Sequence, residues 1–206
     1  MELKEYIEKE ILPRYDAFDG AHTRRHVENV IRNSEELCTL YGADHDMCYV
    51  VAAYHDLGIC EGRAVHNIVS GRILVADNVL PEWFTREQIE IMKEAVEDHR
   101  ASLGKEPRSL YGKIVSEADR ELDTDTCLRR TVQYGLDNFK GLSMDEQFCR
   151  FCRHLDEKYA EGGYLKLWLD KSPNRARLAE LRKTIADRGG LRSRFDSIYA
   201  EEMKEK

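Results

Sequence analysis

The chain has 206 residues, of which 42% are hydrophobic and 34% charged, and its formal net charge is -7. That length suits one domain with a sizeable apolar core. The acidic balance argues against a protein that grips nucleic acid, because the phosphate backbone selects a basic footprint; a small phosphorylated substrate needs only a local positive site.

Apolar residues recur with helical spacing almost everywhere and with strand alternation almost nowhere. Val27, Val30, Ile31, Ser34, Leu37 and Cys38 mark one face of a helix that Gly42 stops. Asp44 is the expected N-cap of a second helix, which runs to Leu57 and is ended by Gly58. A third spans about His66 to Leu80 and stops before Pro81. Thr85-Arg86-Glu87-Gln88 is a capping box opening a fourth, which reaches about His99. A loop holding Gly104 and Pro107 leads to a fifth, from about Ser109 to Leu122.

Ser143-Met144-Asp145-Glu146 is a second capping box, followed by Phe148, Phe151, Cys152, Leu155 and Tyr159, with Gly162-Gly163 as the breaker. Ser172-Pro173 reads as N-cap plus first helical residue of a last helix, broken or bent at Gly189-Gly190. The expectation is an all-α fold without internal repeat or low-complexity linker. The basic run from Lys171 to Arg194 reads as an exposed helix face, with an anion-binding patch as the alternative. Tyr159, Tyr164 and Trp168 fit core packing or a lid that stacks on a base.

Met1 to Glu5 carry no apolar run of signal-peptide type, and no segment has the length of a bilayer span. The expectation is a cytoplasmic protein with no membrane partner. The six cysteines show no disulfide framework and are read as reduced. Cys149-x-x-Cys152 lies among Phe148, Phe151 and Leu155, which suits a helix face better than a zinc or redox motif.

Six polar residues fall on inward helix faces. His66 is in register with Val69, Ile73, Ala76 and Leu80, and His99 follows Ile89, Met92 and Val96. Asp119 lies four residues after Val115, His26 borders the Val27/Val30 stripe, and His55-Asp56 close an apolar helix. One inward histidine alone is more often a hydrogen-bonded core residue than a ligand. Six ionisable groups aimed at one core need a cation between them, since a buried unpartnered charge is costly. His45 and His154 fall on polar stretches and read as surface residues. His22, one turn before His26, lines the same pocket or caps the helix.

Imidazole and carboxylate without thiolate suit Mn, Fe, Co, Ni, Zn or Mg. The set can hold two ions with a carboxylate between them. It can also hold one ion on His26, His55, Asp56 and Asp119, leaving His66 and His99 for phosphate contact or proton transfer.

In order and setting these residues resemble the HD-domain superfamily of metal-dependent phosphohydrolases, whose pattern is H…HD…D. The matching stretches are His22-Thr23-Arg24-Arg25-His26-Val27, Ala52-Ala53-Tyr54-His55-Asp56-Leu57-Gly58, His66 followed by Ser70, and Glu117-Ala118-Asp119-Arg120. The resemblance covers about residues 18 to 125. It implies a helical bundle with the metal at its centre: one HD-type domain over 1–206, with a core over about 18–125 and a C-terminal helical extension over 126–206. His66 and His99 look like the added histidines of the subset that binds two metals.

What the resemblance implies chemically is hydrolysis of a phosphate ester or anhydride by metal-activated water, on a small phosphorylated metabolite and foremost a nucleotide. Asp56, His66 and His99 are the expected catalytic residues. His22, Arg25, Arg63 and Lys113, with Arg24, are the substrate contacts suggested by charge. A di-iron oxygenase of the same superfamily and a nucleotide-sensing module without turnover are the competing expectations, and homo-oligomerisation is compatible with each.

Overall fold

The computed structural model describes residues 1–18 and 23–204. Helices and helical turns are the only regular structure among them, so the all-α expectation holds. The chain forms two compact units, Met1–Arg120 with Trp168–Ser172 and Glu121–Leu167 with Pro173–Lys206.

In the first unit, α1 (Leu3–Tyr6) continues through a π turn and a 3-10 turn to Ala17. Then follow α2 (Arg24–Tyr41), α3 (His45–Tyr54), α4 (His66–Val75), α5 (Arg86–Asp98) and α6 (Leu110–Ala118). Side-chain caps start most of them: the Met47 amide donates to Asp44 Oδ1 at 3.0 Å, and Thr85 and Gln88 form the reciprocal capping box. Gly42, at φ +65°, closes α2 in the left-handed region that a Cβ disfavours.

Helix α3 is the middle of this unit. Every residue from Met47 to Tyr54 is buried, which is the signature of a helix surrounded by others rather than one lying on a surface. α2, α5 and α6 turn single apolar faces toward the core, through Val27 and Val30, Met92 and Val96, and Ile114 and Val115.

Three helices are shorter than their apolar patterns suggest. α3 stops at Tyr54, and Asp56 sits at φ -113°, ψ 6°, in the sparsely populated bridge region, before a 3-10 turn over Leu57–Glu61. α4 stops at Val75 because Asp77 is taken up elsewhere. Its Oδ2 accepts the Tyr6 and Tyr54 hydroxyls at 2.6 and 2.5 Å, and its Oδ1 accepts the Val79 amide at 2.9 Å. α6 ends at Ala118 with Asp119 as its cap.

The second unit holds α7 (Thr124–Asn138), α8 (Met144–Tyr159), α9 (Asn174–Ala186) and α10 (Arg188–Lys204). Its core joins Leu128, Phe151, Leu155, Leu181, Leu191 and Phe195, all under 2% exposed. The Ser143/Glu146 capping box opens α8 as its sequence suggests. The last helix departs from expectation in two ways. Pro173, not Ser172, stands at the N-cap of α9, with no side-chain cap bond. The break falls at Asp187, at φ -78° and ψ 83°, while Gly189-Gly190 lie inside α10. Asp187 Oδ1 accepts the Gly190 amide at 3.1 Å, so the carboxylate starts a new helix two residues before the glycines.

The last part of the basic run is ion-paired in this unit: Arg188 meets Asp156, Arg192 meets Asp145 and Asp196, and Arg194 meets Asp125, all within 2.9 Å. All six cysteines are free. No helix among the described residues is long and apolar enough to cross a membrane.

Candidate metal centre

The six polar residues meet because they occupy helix ends. His26 lies in the first turn of α2 and His66 is the first residue of α4. His55, His99 and Asp119 cap the C-termini of α3, α5 and α6, and Asp56 follows His55 out of its helix. Short side chains at converging helix ends can reach a common point that residues in mid-helix cannot.

Three of the rings are oriented by backbone. Nδ1 of His55, His66 and His99 lies 2.7, 2.9 and 2.6 Å from the carbonyl oxygens of Ala52, Arg63 and Val96, each three residues earlier. A carbonyl can only accept, so Nδ1 carries the proton and each neutral ring presents a lone pair at Nε2.

Those nitrogens surround Asp56. Its Oδ2 is 3.2 Å from His55 Nε2 and 3.6 Å from His26 Nε2. Its Oδ1 is 3.4 Å from both His66 and His99 Nε2. Asp119 Oδ1 completes the first side, 3.2 Å from His26 Nε2 and 3.9 Å from that of His55. Two donor groups result, His26–His55–Asp56 and Asp56–His66–His99, with one carboxylate common to both.

The electrostatics suit a positive charge held among these groups. His66 and His99 Nε2 are 3.1 Å apart, and those of His26 and His55 are 3.4 Å apart. Neutral rings in such contact oppose their lone pairs. Burial lowers the His26 pKa, but hydrogen bonds to Asp119 and Asp56 outweigh it and push the value up to about 10. His55 is also raised, burial being outweighed by Asp56 and Asp119. Burial opposes ionisation of Asp56, yet the neighbouring histidines hold its carboxyl well below the ordinary range, and Asp119 is lowered in the same way. His66 is lowered by burial and by His99. Protons thus do in part what a cation would do, and an all-nitrogen and oxygen donor set with a shared carboxylate fits divalent metal.

A supporting shell fixes these groups. The Tyr15 hydroxyl donates to Ala53 O at 2.9 Å and accepts the Asp56 amide at 3.3 Å. Asn33 Nδ2 donates to Ala118 O at 3.1 Å beside Asp119. Arg120 donates to Asp119 Oδ2 and to the His99 carbonyl. Arg120 stands next to a candidate ligand in the sequence; Tyr15 and Asn33 carry no signal that would have singled them out.

The cations chosen by charge are more scattered. His22 lies outside the described residues. Arg25 and Arg63 are exposed, and the Arg63 carbonyl meets the His66 ring. Lys113 Nζ is ion-paired with Glu106 at 2.5 Å, and Arg24 with Glu28 at 3.2 Å. His45 is exposed at the start of α3, and His154 is half-buried on α8.

The family model described as HD domain matches residues 23–122. The crystal structure of a predicted HD superfamily hydrolase from an uncultured Thermotogales bacterium aligns with a TM-score of 0.51, covering 98% of this chain and 99% of that one at 20% identity, a likeness of fold. No curated protein gives a match. His26, His55-Asp56, His66, His99 and Asp119 all lie inside the matched stretch, so residues 23–122 are similar to HD domains, which bind divalent metals.

Proposed function

We propose that the chain is a metal-dependent phosphohydrolase acting on a phosphate ester or anhydride of a small phosphorylated metabolite, foremost a nucleotide. The observation that carries this reading is the placement of Asp56, whose two oxygens each face a different pair of imidazoles. In this reading His26, His55 and Asp119 would hold one ion and His66 and His99 a second, with Asp56 within reach of both sets. Paired ions lower the pKa of water toward neutrality and neutralise phosphoryl oxygens.

The protein's own part is orientation. The Nδ1–H bonds to Ala52, Arg63 and Val96 fix three rings in the ligating tautomer, so little reorganisation accompanies binding. Burial of Asp56 at 4% exposure keeps bulk water from competing for its oxygens. Arg25, Arg63 and His22 are the groups proposed to meet substrate phosphate; Lys113 would first have to leave Glu106.

The test is a screen of phosphorylated metabolites with Mn, Mg, Ni and Co added in turn, together with elemental analysis of protein purified without oxygen. The expected result is release of phosphate or a nucleotide product that depends on added metal and is lost in Asp56→Ala. Full activity in Asp56→Ala overturns the mechanism. Paired iron with a mixed-valence signal and no hydrolysis would replace hydrolysis by oxidation.

A further inference from the structure

We propose that Arg120 is a positioning residue that ties the two metal subsites together, an inference that rests on the paired-metal reading above. Its side chain is 8% exposed and follows α6 directly. Nη1 donates to Asp119 Oδ2 at 3.2 Å, while Asp119 Oδ1 faces His26. Nη2 donates to the His99 carbonyl at 2.9 Å, while the His99 ring faces Asp56 Oδ1. One guanidinium therefore holds Asp119, which stands beside the first donor group, and His99, a member of the second.

The geometry gives this contact its consequence. With its outer oxygen on Arg120, the Asp119 carboxylate cannot swing freely, and its inner oxygen stays directed at the first subsite. Fixing the His99 carbonyl sets the backbone from which that ring reaches the second. The guanidinium is rigid and planar, so the two N–H directions are locked to one another and the spacing of Asp119 from His99 is locked with them. A lysine ammonium can satisfy either acceptor but does not impose the angle between them. Outer contacts of this kind are worth on the order of 10–100-fold in metal affinity.

Charge and positioning make opposite predictions here. A cation beside Asp119 weakens an ion bound there by repulsion, so removing the charge alone would tighten binding. Loss of the strut weakens it.

The experiment is a Mn(II) titration of the full chain, read by elemental analysis after gel filtration and by the exchange coupling of the manganese electron spins, with thermal melting as a check on folding. Wild type should retain two Mn per chain and show a coupled signal. Asp119→Asn should lose affinity for one ion only. Arg120→Gln and Arg120→Lys should each weaken both ions together, by about 10–100-fold, and lose the coupled signal.

A folded Arg120→Gln that binds as wild type, binds more tightly, or loses one ion as Asp119→Asn does overturns the strut. If Arg120→Gln does not fold, Arg120→Lys decides, and wild-type uptake with a coupled signal in that variant overturns it. Wild type with one Mn or none removes the paired site itself and the strut with it, whereas two coupled Mn in wild type and in both Arg120 variants removes the strut alone.

Discussion

The amide of Gly58 donates a 2.8 Å hydrogen bond to Ser70 Oγ, joining the turn that follows Asp56 to the helix that begins with His66. The approach is close: a Cβ on Gly58 would stand 2.2 Å from the His66 carbonyl oxygen and 2.5 Å from the Ser70 amide. Backbone cannot yield as a side-chain tip can, so any larger residue must push α4 away from Asp56. Gly58→Ala should destabilise the first unit by about 1–3 kcal/mol through overpacking. If the paired-metal reading holds, it should also weaken an ion at Asp56 and His66–His99 more than one at His26 and His55. Ser70→Ala, which only removes the acceptor of a buried amide, should cost about 1–3 kcal/mol without moving the helix. Urea unfolding with Mn titration separates the two, and undiminished metal uptake in Gly58→Ala would count against the packing argument.

Glu117 is 1% exposed, and its Oε1 accepts the amides of Trp168 at 2.7 Å and Leu169 at 2.6 Å. The Tyr41 hydroxyl reinforces the same strap, donating to Asp170 Oδ1 at 2.7 Å and accepting the Lys171 amide at 2.6 Å. Leu169 then fills the core of the first unit. Glu117→Ala removes the acceptor of both amides and should cost about 3 kcal/mol, with Glu117→Gln costing less because one acceptor survives. Amide exchange at Trp168 and Leu169 should quicken at least tenfold in Glu117→Ala, and unchanged exchange there would show that the strap is held by packing alone.

What could be read in the sequence was whatever a local rule encodes. Asp44, Thr85 and Ser143 cap helices because a side-chain oxygen reaches an amide three residues on, a fact of local geometry. The helix faces were legible for the same reason. The bend at Asp187 was not, because glycine signals only permission to break, while the break itself came from an aspartate competing for the Gly190 amide. The six polar residues were found by inward register, but they meet because they stand at helix ends, which register does not express. Tyr15, Asn33 and the role of Arg120 depend on contacts such as Asn33 to Ala118, 85 positions apart, and no local rule reaches that far.

In the second unit Asp123 caps α7, its Oδ1 accepting the Thr126 amide at 2.9 Å and the Thr126 hydroxyl at 2.7 Å. These bonds favour the ionised carboxylate and lower its pKa from 3.8. A lowered folded-state pKa gives stability that is present above the unfolded value and lost as pH falls through the folded one. Asp123→Asn keeps the cap but removes the ionisation, so the gap between wild type and variant should be constant above about pH 5 and close in acid. Because the carboxylate is largely exposed, the gap should be small, under about 1 kcal/mol. Asp123→Ala removes the cap outright and should cost about 1 kcal/mol at neutral pH. Thermal melts from pH 3 to 7 test both, and a Asp123→Asn gap that widened in acid would reverse the assigned sign.

Metal uptake should run against protons. With its pKa raised to about 10 in the metal-free protein, His26 carries a proton at neutral pH that an ion must displace. Asp56 and Asp119, both lowered, are already ionised and release nothing. Apparent affinity should therefore rise with pH, about tenfold per unit for each proton displaced, up to the His26 value. For the metal-free fold the sign is opposite. A pKa raised above 6.5 to about 10 gives stability that is complete below the lower value and lost as pH climbs through the higher one. The rise in melting temperature on adding Mn should accordingly be larger at pH 8 than at pH 6. Calorimetric titrations in buffers of different ionisation enthalpy should report at least one proton released per ion bound in the His26 subsite, and His26→Gln should abolish that proton. Binding heats that do not depend on the buffer would mean that the imidazoles are already neutral before the ion arrives.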